Sequence, residues 1–171
     1  MNKEDEFIYY GRIPNPDWPI YIAVTEKGLC FVGSLGEDEK ELVDWIKKMK
    51  STVIFEENWS KVVSYATQLE EYFKGERISF DMAIDVKGTV FQKKVWSGLS
   101  EIPYGETITY GGLAEKIGYP SSFRAVGTAV GKNPLLIIVP CHRVVHKNGQ
   151  ISGYRGPIAM KTNLLALERL K

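Results

Sequence analysis

The stretch TYGGLAEKIGYPSSFRAVGTAVGK, residues 109–132, decides how the second half of this chain folds. Thr107 or Thr109 can cap a short helix of about Tyr110–Ile117. Gly118-Tyr119-Pro120 turns the chain, and Ser121 or Ser122 can cap a second helix running to about Gly131. This is helix-turn-helix spacing. On the second helix Phe123, Val126 and Val130 fall on one side and are expected to face the core. Ser121, Ala125, Thr128 and Lys132 lie roughly opposite, flanked by Arg124 and Ala129. A face of mostly small side chains lets the backbone approach another surface closely, with the long cation Arg124 projecting beside it. Two readings are open at this point: a helix that docks on DNA, or an ordinary surface helix in which Ala is simply a good helix former.

Downstream, Leu135–Val139 reads as a buried strand, interrupted by Pro140-Cys141-His142-Arg143 and resumed by Val144-Val145. Lys147-Asn148-Gly149-Gln150 is a hairpin signal, so a wing is expected after the two helices. Ala159–Leu170 reads as a closing helix. Upstream, Thr89-Val90-Phe91-Gln92 starts a helix carrying Phe91, Val95, Trp96 and Leu99, ended by Ile102-Pro103-Tyr104-Gly105. The N-terminal half reads as α+β. Strands are expected at Ile20–Thr25, Leu29–Ser34 and Ile78–Ala83, an extended segment at Thr52–Phe55, and helices at Glu37–Met49 and Lys61–Phe73. The boundary falls near Asp85-Val86-Lys87-Gly88, giving domains 1–85 and 86–171.

The 171 residues are 44% hydrophobic and 25% charged, which suits one or two small soluble domains. No apolar run reaches the ~18 residues that span a bilayer, so no membrane association is expected. The charged start MNKEDEF is unlike a signal peptide. Two cysteines, Cys30 and Cys141, make no disulfide framework, and a reducing cytoplasm is the simplest setting. Residues 1–86 carry 10 Lys/Arg against 17 Asp/Glu, a net −7, whereas 87–171 carry 12 against 4, a net +8. The asymmetry behind an overall +1 points to two modules, the basic one meeting a polyanion.

Cys141 is the candidate for chemistry. A thiol becomes a strong nucleophile as thiolate, and a nearby imidazole or cation favours that form. His142 and Arg143 follow directly. Neighbours in an extended chain point opposite ways, so His142 is expected to reach the thiol through a water. Glu168 lies on or beside the apolar face of the last helix, after Leu164 and Leu165, with Lys161 two turns earlier. A carboxylate there needs a partner, and an imidazole N–H would serve. Cys141, His142 and Glu168 then make a nucleophile, base and orienter. The residue pattern alone leaves open an inert core cysteine, a regulator that binds DNA without chemistry, and a cysteine hydrolase. Cys141, His142 and His146 are too crowded for a metal site, so none is expected.

Pro140-Cys141-His142-Arg143-Val144 resembles the active-site signature of the O6-alkylguanine-DNA alkyltransferases, the methylated-DNA–protein-cysteine methyltransferases. The resemblance extends through Gly88-Thr89-Val90-Phe91-Gln92, Val95-Trp96, Ile102-Pro103-Tyr104-Gly105, Thr109-Tyr110, Leu113-Ala114, Arg124-Ala125-Val126, Asn133-Pro134 and Gly153-Tyr154. It implies an α/β (α+β) architecture, with an N-terminal ribonuclease-H-like structural domain and a C-terminal winged helix-turn-helix domain. It also implies irreversible, single-turnover transfer of the alkyl group of O6-alkylguanine, and less well of O4-alkylthymine, from duplex DNA to Cys141. The DNA would be bound in the minor groove and no cofactor would be needed. A monomer is implied, with clustering along the duplex left open.

By the same resemblance His142 acts as base through a water, Glu168 orients it, and Tyr110 donates a proton towards the leaving base. Arg124 would fill the place of the flipped nucleotide, and Asn133 would stabilise the turn before the active-site segment. Thr109, Ser121, Ala125, Thr128, Ala129 and Lys132 would meet DNA. Val144, Tyr154, Arg155, Gly156 and Lys161 would form the substrate pocket, with the carbonyls of Cys141 and Val144 reading the guanine amino group. Two positions depart from common members: Arg155 stands in place of a serine, and Pro157 in place of a glycine. The N-terminal zinc site of vertebrate members has no counterpart here.

Overall fold

The structure, a computed structural model, describes residues 5–151 and 153–169. The chain forms two compact units, residues 1–87 and 88–171. In the first, β1 (Glu6–Arg12), β2 (Tyr21–Thr25), β3 (Gly28–Val32) and β4 (Val53–Glu57) form one sheet in the order β3-β2-β1-β4. The β1–β2 and β2–β3 pairs are antiparallel and β1–β4 is parallel. Helix α1 (Glu39–Met49) starts where the Asp38 side chain accepts from the Lys40 N–H, and carries Leu42 and Ile46 into a cluster with Ile8, Ala23, Cys30 and Phe31. Helix α2 (Trp59–Phe73) buries Val62, Ala66, Leu69, Tyr72 and Phe73. Strand residues alternate between faces. Ile8 therefore meets α1, while Gly11 lies so close to α2 that a Cβ there would sit 2.9 Å from Val62.

Two differences from the sequence pattern have separate origins. Strand β1 is not marked by alternation, because Ile8 and Tyr10 use one face and Phe7 and Tyr9 the other, and apolar side chains occupy both. Conversely, the strand expected at Ile78–Ala83 is absent. The Gln68 amide brackets Asp81, donating to its carbonyl and accepting from its N–H. Only the segment's end reaches the sheet, through Leu29 N–H to Ala83 C=O and Asp85 N–H to Leu29 C=O. A side chain thus takes hydrogen bonds that a strand would have used.

In the second unit α3 (Val90–Ser100) opens on a reciprocal capping box between Thr89 and Gln92. Helix α4 (Tyr110–Lys116) is capped by Thr109, whose hydroxyl accepts from Gly112 N–H. It ends in a Schellman turn: Gly118, at φ 84°, donates to Glu115, and Tyr119 donates to Ala114. Helix α5 (Phe123–Val130) follows, with Ser122 in the cap position but making no side-chain cap bond. Val126 and Val130 are buried as expected, but Phe123 is 52% exposed and Ala129 is buried. The first residue of a short helix has no preceding turn to cover it. Ala129 turns inward, and its carbonyl accepts the Trp96 indole N–H of α3 at 2.9 Å.

The apolar run Leu135–Val139 is buried but is not a strand. Ile137 adopts φ 73° and centres a γ-turn closed by Ile138 N–H to Leu136 C=O. This is the strained form of the turn, and a β-branched residue there costs roughly 1–3 kcal/mol. Cys141 therefore lies in a 3₁₀ turn, Cys141–Arg143, rather than at a strand end. Strand β6 (Val144–Val145) pairs in parallel with β5 (Ile108–Thr109). The turn at His146–Gln150 closes as a hairpin turn does, with Gly149 at φ 80°. No described strand pairs across it, so the expected wing is reduced to that turn. Helix α6 (Ile158–Arg169) closes the unit, and Leu170 lies outside the described residues.

The Trp96–Ala129 bond is the polar tie between α3 and α5. Trp96→Phe removes the donor and leaves a void, and the buried Ala129 carbonyl keeps only backbone donors such as Lys132 N–H at 3.1 Å. Urea unfolding followed by circular dichroism should show a loss of about 1–3 kcal/mol.

Candidate active site

The 3₁₀ turn and α6 bring the chemistry together. Lys161, Leu164, Leu165 and Glu168 all lie on the buried face of α6. Glu168 Oε1 lies 2.8 Å from His142 Nε2, and both side chains are almost wholly excluded from solvent. Arg143 grips the same carboxylate, with Nε 3.0 Å from Oε2 and Nη2 2.8 Å from Oε1, and its Nη1 donates to the Ile102 carbonyl. Gly105 N–H adds a donor at 3.3 Å. Guanidinium and amide can only donate, so this carboxylate accepts from every side. His142 Nε2 must then carry the hydrogen. Burial pushes the imidazole pKa down, against an opposing pull from Glu168, which makes the ring neutral. Its Nδ1 is left with a free lone pair and has no hydrogen-bond partner among the described residues.

Cys141 is 2% exposed. Its Sγ accepts from Asn133 Nδ2 at 3.2 Å. The same amide donates to Val139 C=O at 2.8 Å and approaches Leu135 C=O at 3.3 Å, while its oxygen accepts from Leu135 N–H at 2.9 Å. Asn133 thus supplies the polar partners that the strained loop lacks and holds the thiol at the loop's end. Burial pushes the Cys141 pKa up, outweighing the Asn133 hydrogen bond and the positive charges of Arg155 and Lys161. The resting sulfur is a protonated thiol, contrary to the expectation that its surroundings would favour thiolate.

The expected pocket residues divide into several roles. Lys161 is fully buried and donates to the Val144 carbonyl at 2.6 Å; burial lowers its pKa, and Cys141 opposes that shift. The Cys141 carbonyl already accepts from Val144 N–H. Arg155 donates to the Asn133 carbonyl at 2.9 Å and to Pro134 at 3.4 Å, so it braces the Asn133 turn. Tyr154 holds its hydroxyl buried and without a hydrogen-bond partner among the described residues, and burial together with Cys141 drives its pKa well up. Gly156 sits where a Cβ would come within 3.0 Å of the Tyr154 ring.

Tyr110, Arg124, Gly127, Thr128, His146 and Gly153, together with Phe123, line a cavity of about 440 Å³. Burial and Cys141 both raise the Tyr110 pKa, keeping a proton on its hydroxyl. Gly153, at φ 68°, allows that hydroxyl to approach, since a Cβ would lie 2.6 Å from it. Ser121, Arg124, Ala125, Thr128 and Lys132 are exposed. Thr109 is half-buried and used as a cap, and Ala129 faces inward, so neither presents the outer face expected of it.

The structural role of Arg143 and the exposure of Phe123 escaped the sequence reading. Arg143 could have been found, since residues 87–171 contain only four acidic side chains and a cation in an apolar run must find one. Among the described residues no group of three or more His, Cys, Asp or Glu is placed to hold a metal ion, and no helix is long and apolar enough to cross a membrane.

Comparison with known proteins gives concordant matches for both units. Residues 8–86 match the ribonuclease-like domain of 6-O-methylguanine DNA methyltransferase, and residues 90–170 match its DNA-binding domain. The inducible methylated-DNA–protein-cysteine methyltransferase of Bacillus subtilis (strain 168) is 45% identical over 169 residues, covering 99% of this chain and 94% of that protein. The corresponding protein of Methanosarcina acetivorans is 44% identical over 163 residues, covering 94% and 98%. The crystal structure of Mycobacterium tuberculosis O6-methylguanine methyltransferase is 39% identical, with a TM-score of 0.78 over 95% of this chain and 93% of that one. A crystal structure of the M. tuberculosis protein in complex with DNA has a TM-score of 0.77 at the same identity and coverage. Matched along nearly its whole length and in both domains, the chain belongs to the 6-O-methylguanine DNA methyltransferase family.

Proposed function

We propose that Cys141 is the alkyl acceptor in a direct-reversal repair reaction on duplex DNA, entered from the minor groove by a monomer in the reducing cytoplasm. The observation that carries this reading is the buried chain Arg143–Glu168–His142, which leaves a neutral imidazole with a bare Nδ1 on the residue that follows the protonated thiol. The thiol proton passes through a water to His142 Nδ1. The sulfur then attacks the alkyl carbon, the carbon–O6 bond breaks and a carbon–sulfur bond forms. The electron pair of the broken bond stays with the guanine, and Tyr110 gives a proton to N3. The tyrosine recovers its proton from solvent or the imidazolium, so the net change is thiol plus alkylguanine to thioether plus guanine. A thioether is a poor leaving group, and each chain reacts once. O4-alkylthymine presents the same carbon–oxygen bond and would react less well.

Arg124 lines the cavity and is exposed, and it would occupy the space of the flipped nucleotide, offsetting an unstacking cost of roughly a few kcal/mol. Ser121, Ala125, Thr128 and Lys132 would meet the backbone around it.

One equivalent of duplex carrying O6-methylguanine should add a single methyl mass, on the peptide containing Cys141, and Cys141→Ser should add none. No mass change, or turnover well above one, would overturn the assignment.

The base needs neutral His142, and burial holds its pKa below the ordinary imidazole value of 6.5. The transfer rate should therefore be level as pH falls to 6.5 and decline only below it. Stability is also lost below 6.5, where the unfolded chain takes up the proton first. Glu168→Gln should slow transfer about 100-fold or more. Single-turnover rates across about pH 5–8 check both expectations.

Arg124→Ala should slow transfer from duplex far more than from free O6-methylguanine base. Equal losses on the two substrates would refute insertion.

A further inference from the structure

Helix α5 presents an aromatic ring where its pattern promised a core residue. Isolated exposed apolar side chains are ordinary; what distinguishes Phe123 is its setting. It is 52% exposed at the first position of the helix that carries Arg124. The Arg124 guanidinium lies over its ring, 6.0 Å from the centroid. Both residues line the cavity that also contains Tyr110, Gly127 and His146. The rest of the exposed face, at Ser121, Ala125 and Thr128, is small enough for a duplex to come close. A duplex seated there would meet two projecting groups side by side, one cationic and one flat and apolar. Apolar side chains that enter a minor groove open a base step by stacking in it.

We propose that Phe123 is a second insertion element: its ring enters the minor groove beside Arg124 and stacks on the base flanking the flipped nucleotide. This rests on the alkyl-transfer reading above. Arg124 fills the emptied position, and Phe123 covers the base face that flipping exposes. The ring's apolar surface, exposed in the free protein, is then covered by the base instead of water. The position is one of specificity for duplex over free base, since a free base has no flanking neighbour to stack on.

The test compares the full chain with Phe123→Ala and Phe123→Trp. Single-turnover methyl transfer is measured from an O6-methylguanine duplex and from free O6-methylguanine base. In parallel, 2-aminopurine placed beside the lesion reports loss of stacking. Phe123→Ala should transfer from the duplex about tenfold more slowly, within the range that one base–aromatic stack is worth, and should alter the 2-aminopurine signal. Its rate with free base should fall far less than its rate with duplex, which also shows that the active site has folded. Phe123→Trp should stay near the unsubstituted rate on both substrates. The salt dependence of DNA affinity should not change, because no phosphate contact is removed. Unchanged transfer from duplex, equal loss on duplex and free base, or a shallower salt slope would each overturn the proposal. If the unsubstituted chain transfers from neither substrate, the alkyl-transfer reading falls and this inference with it. If it transfers from both and Phe123→Ala matches it, only this inference falls.

Discussion

The active-site half of this protein depends on one buried carboxylate. Glu168 is the meeting point of three segments: α6, which carries it; the 3₁₀ turn, which brings His142 and Arg143; and the loop after α3, which adds Gly105. An isolated carboxylate at 2% exposure would be prohibitively costly. Arg143 removes that cost and is itself satisfied by Ile102. With its charge balanced, the carboxylate can impose a single tautomer on His142. The cation that looks merely structural thus determines which imidazole nitrogen is left free. Breaking such a pair by removing one partner costs about 3–5 kcal/mol, because the other is left buried and uncompensated.

The thiol is governed by an opposite balance. Asn133, Arg155 and Lys161 all favour thiolate, yet enclosure wins and the sulfur stays protonated. A catalyst that turned over continuously would be poorly served by this. A reagent used once is not, because an unreactive resting thiol survives until its substrate arrives. In the proposed reaction the unpartnered His142 Nδ1 is what converts the protected sulfur into a nucleophile at the moment of use.

Legibility followed the regularity of the backbone. Helix α2 was readable because Val62, Ala66 and Leu69 repeat at helical spacing, and Glu168 was visible from its place on the face of Leu164 and Leu165. Leu135–Val139 was misread because apolar runs signal burial without saying how the backbone is satisfied. Here a γ-turn at Ile137 and the Asn133 amide do that work, and neither has a periodicity. Phe123 and Ala129 were misassigned because eight residues make barely two turns, too few for helical phase to settle which end residues are covered. Ile78–Ala83 failed for a different reason, since Gln68 competed for hydrogen bonds over a sequence distance that local patterns do not sample.

The charge asymmetry gains a sharper meaning from the geometry. Of the twelve Lys and Arg residues in 87–171, Arg143 and Lys161 are buried and committed to Glu168 and Val144, and Arg155 braces Asn133. Those three shape the site rather than the surface. The cations left to meet phosphate on the helix-turn-helix are few, chiefly Arg124 and Lys132, and both are exposed. A surface with so few projecting charges grips a polyanion weakly. In the proposed reaction, discrimination of a lesion then falls to what enters the helix and to what the cavity lined by Arg124, Phe123 and Tyr110 accepts.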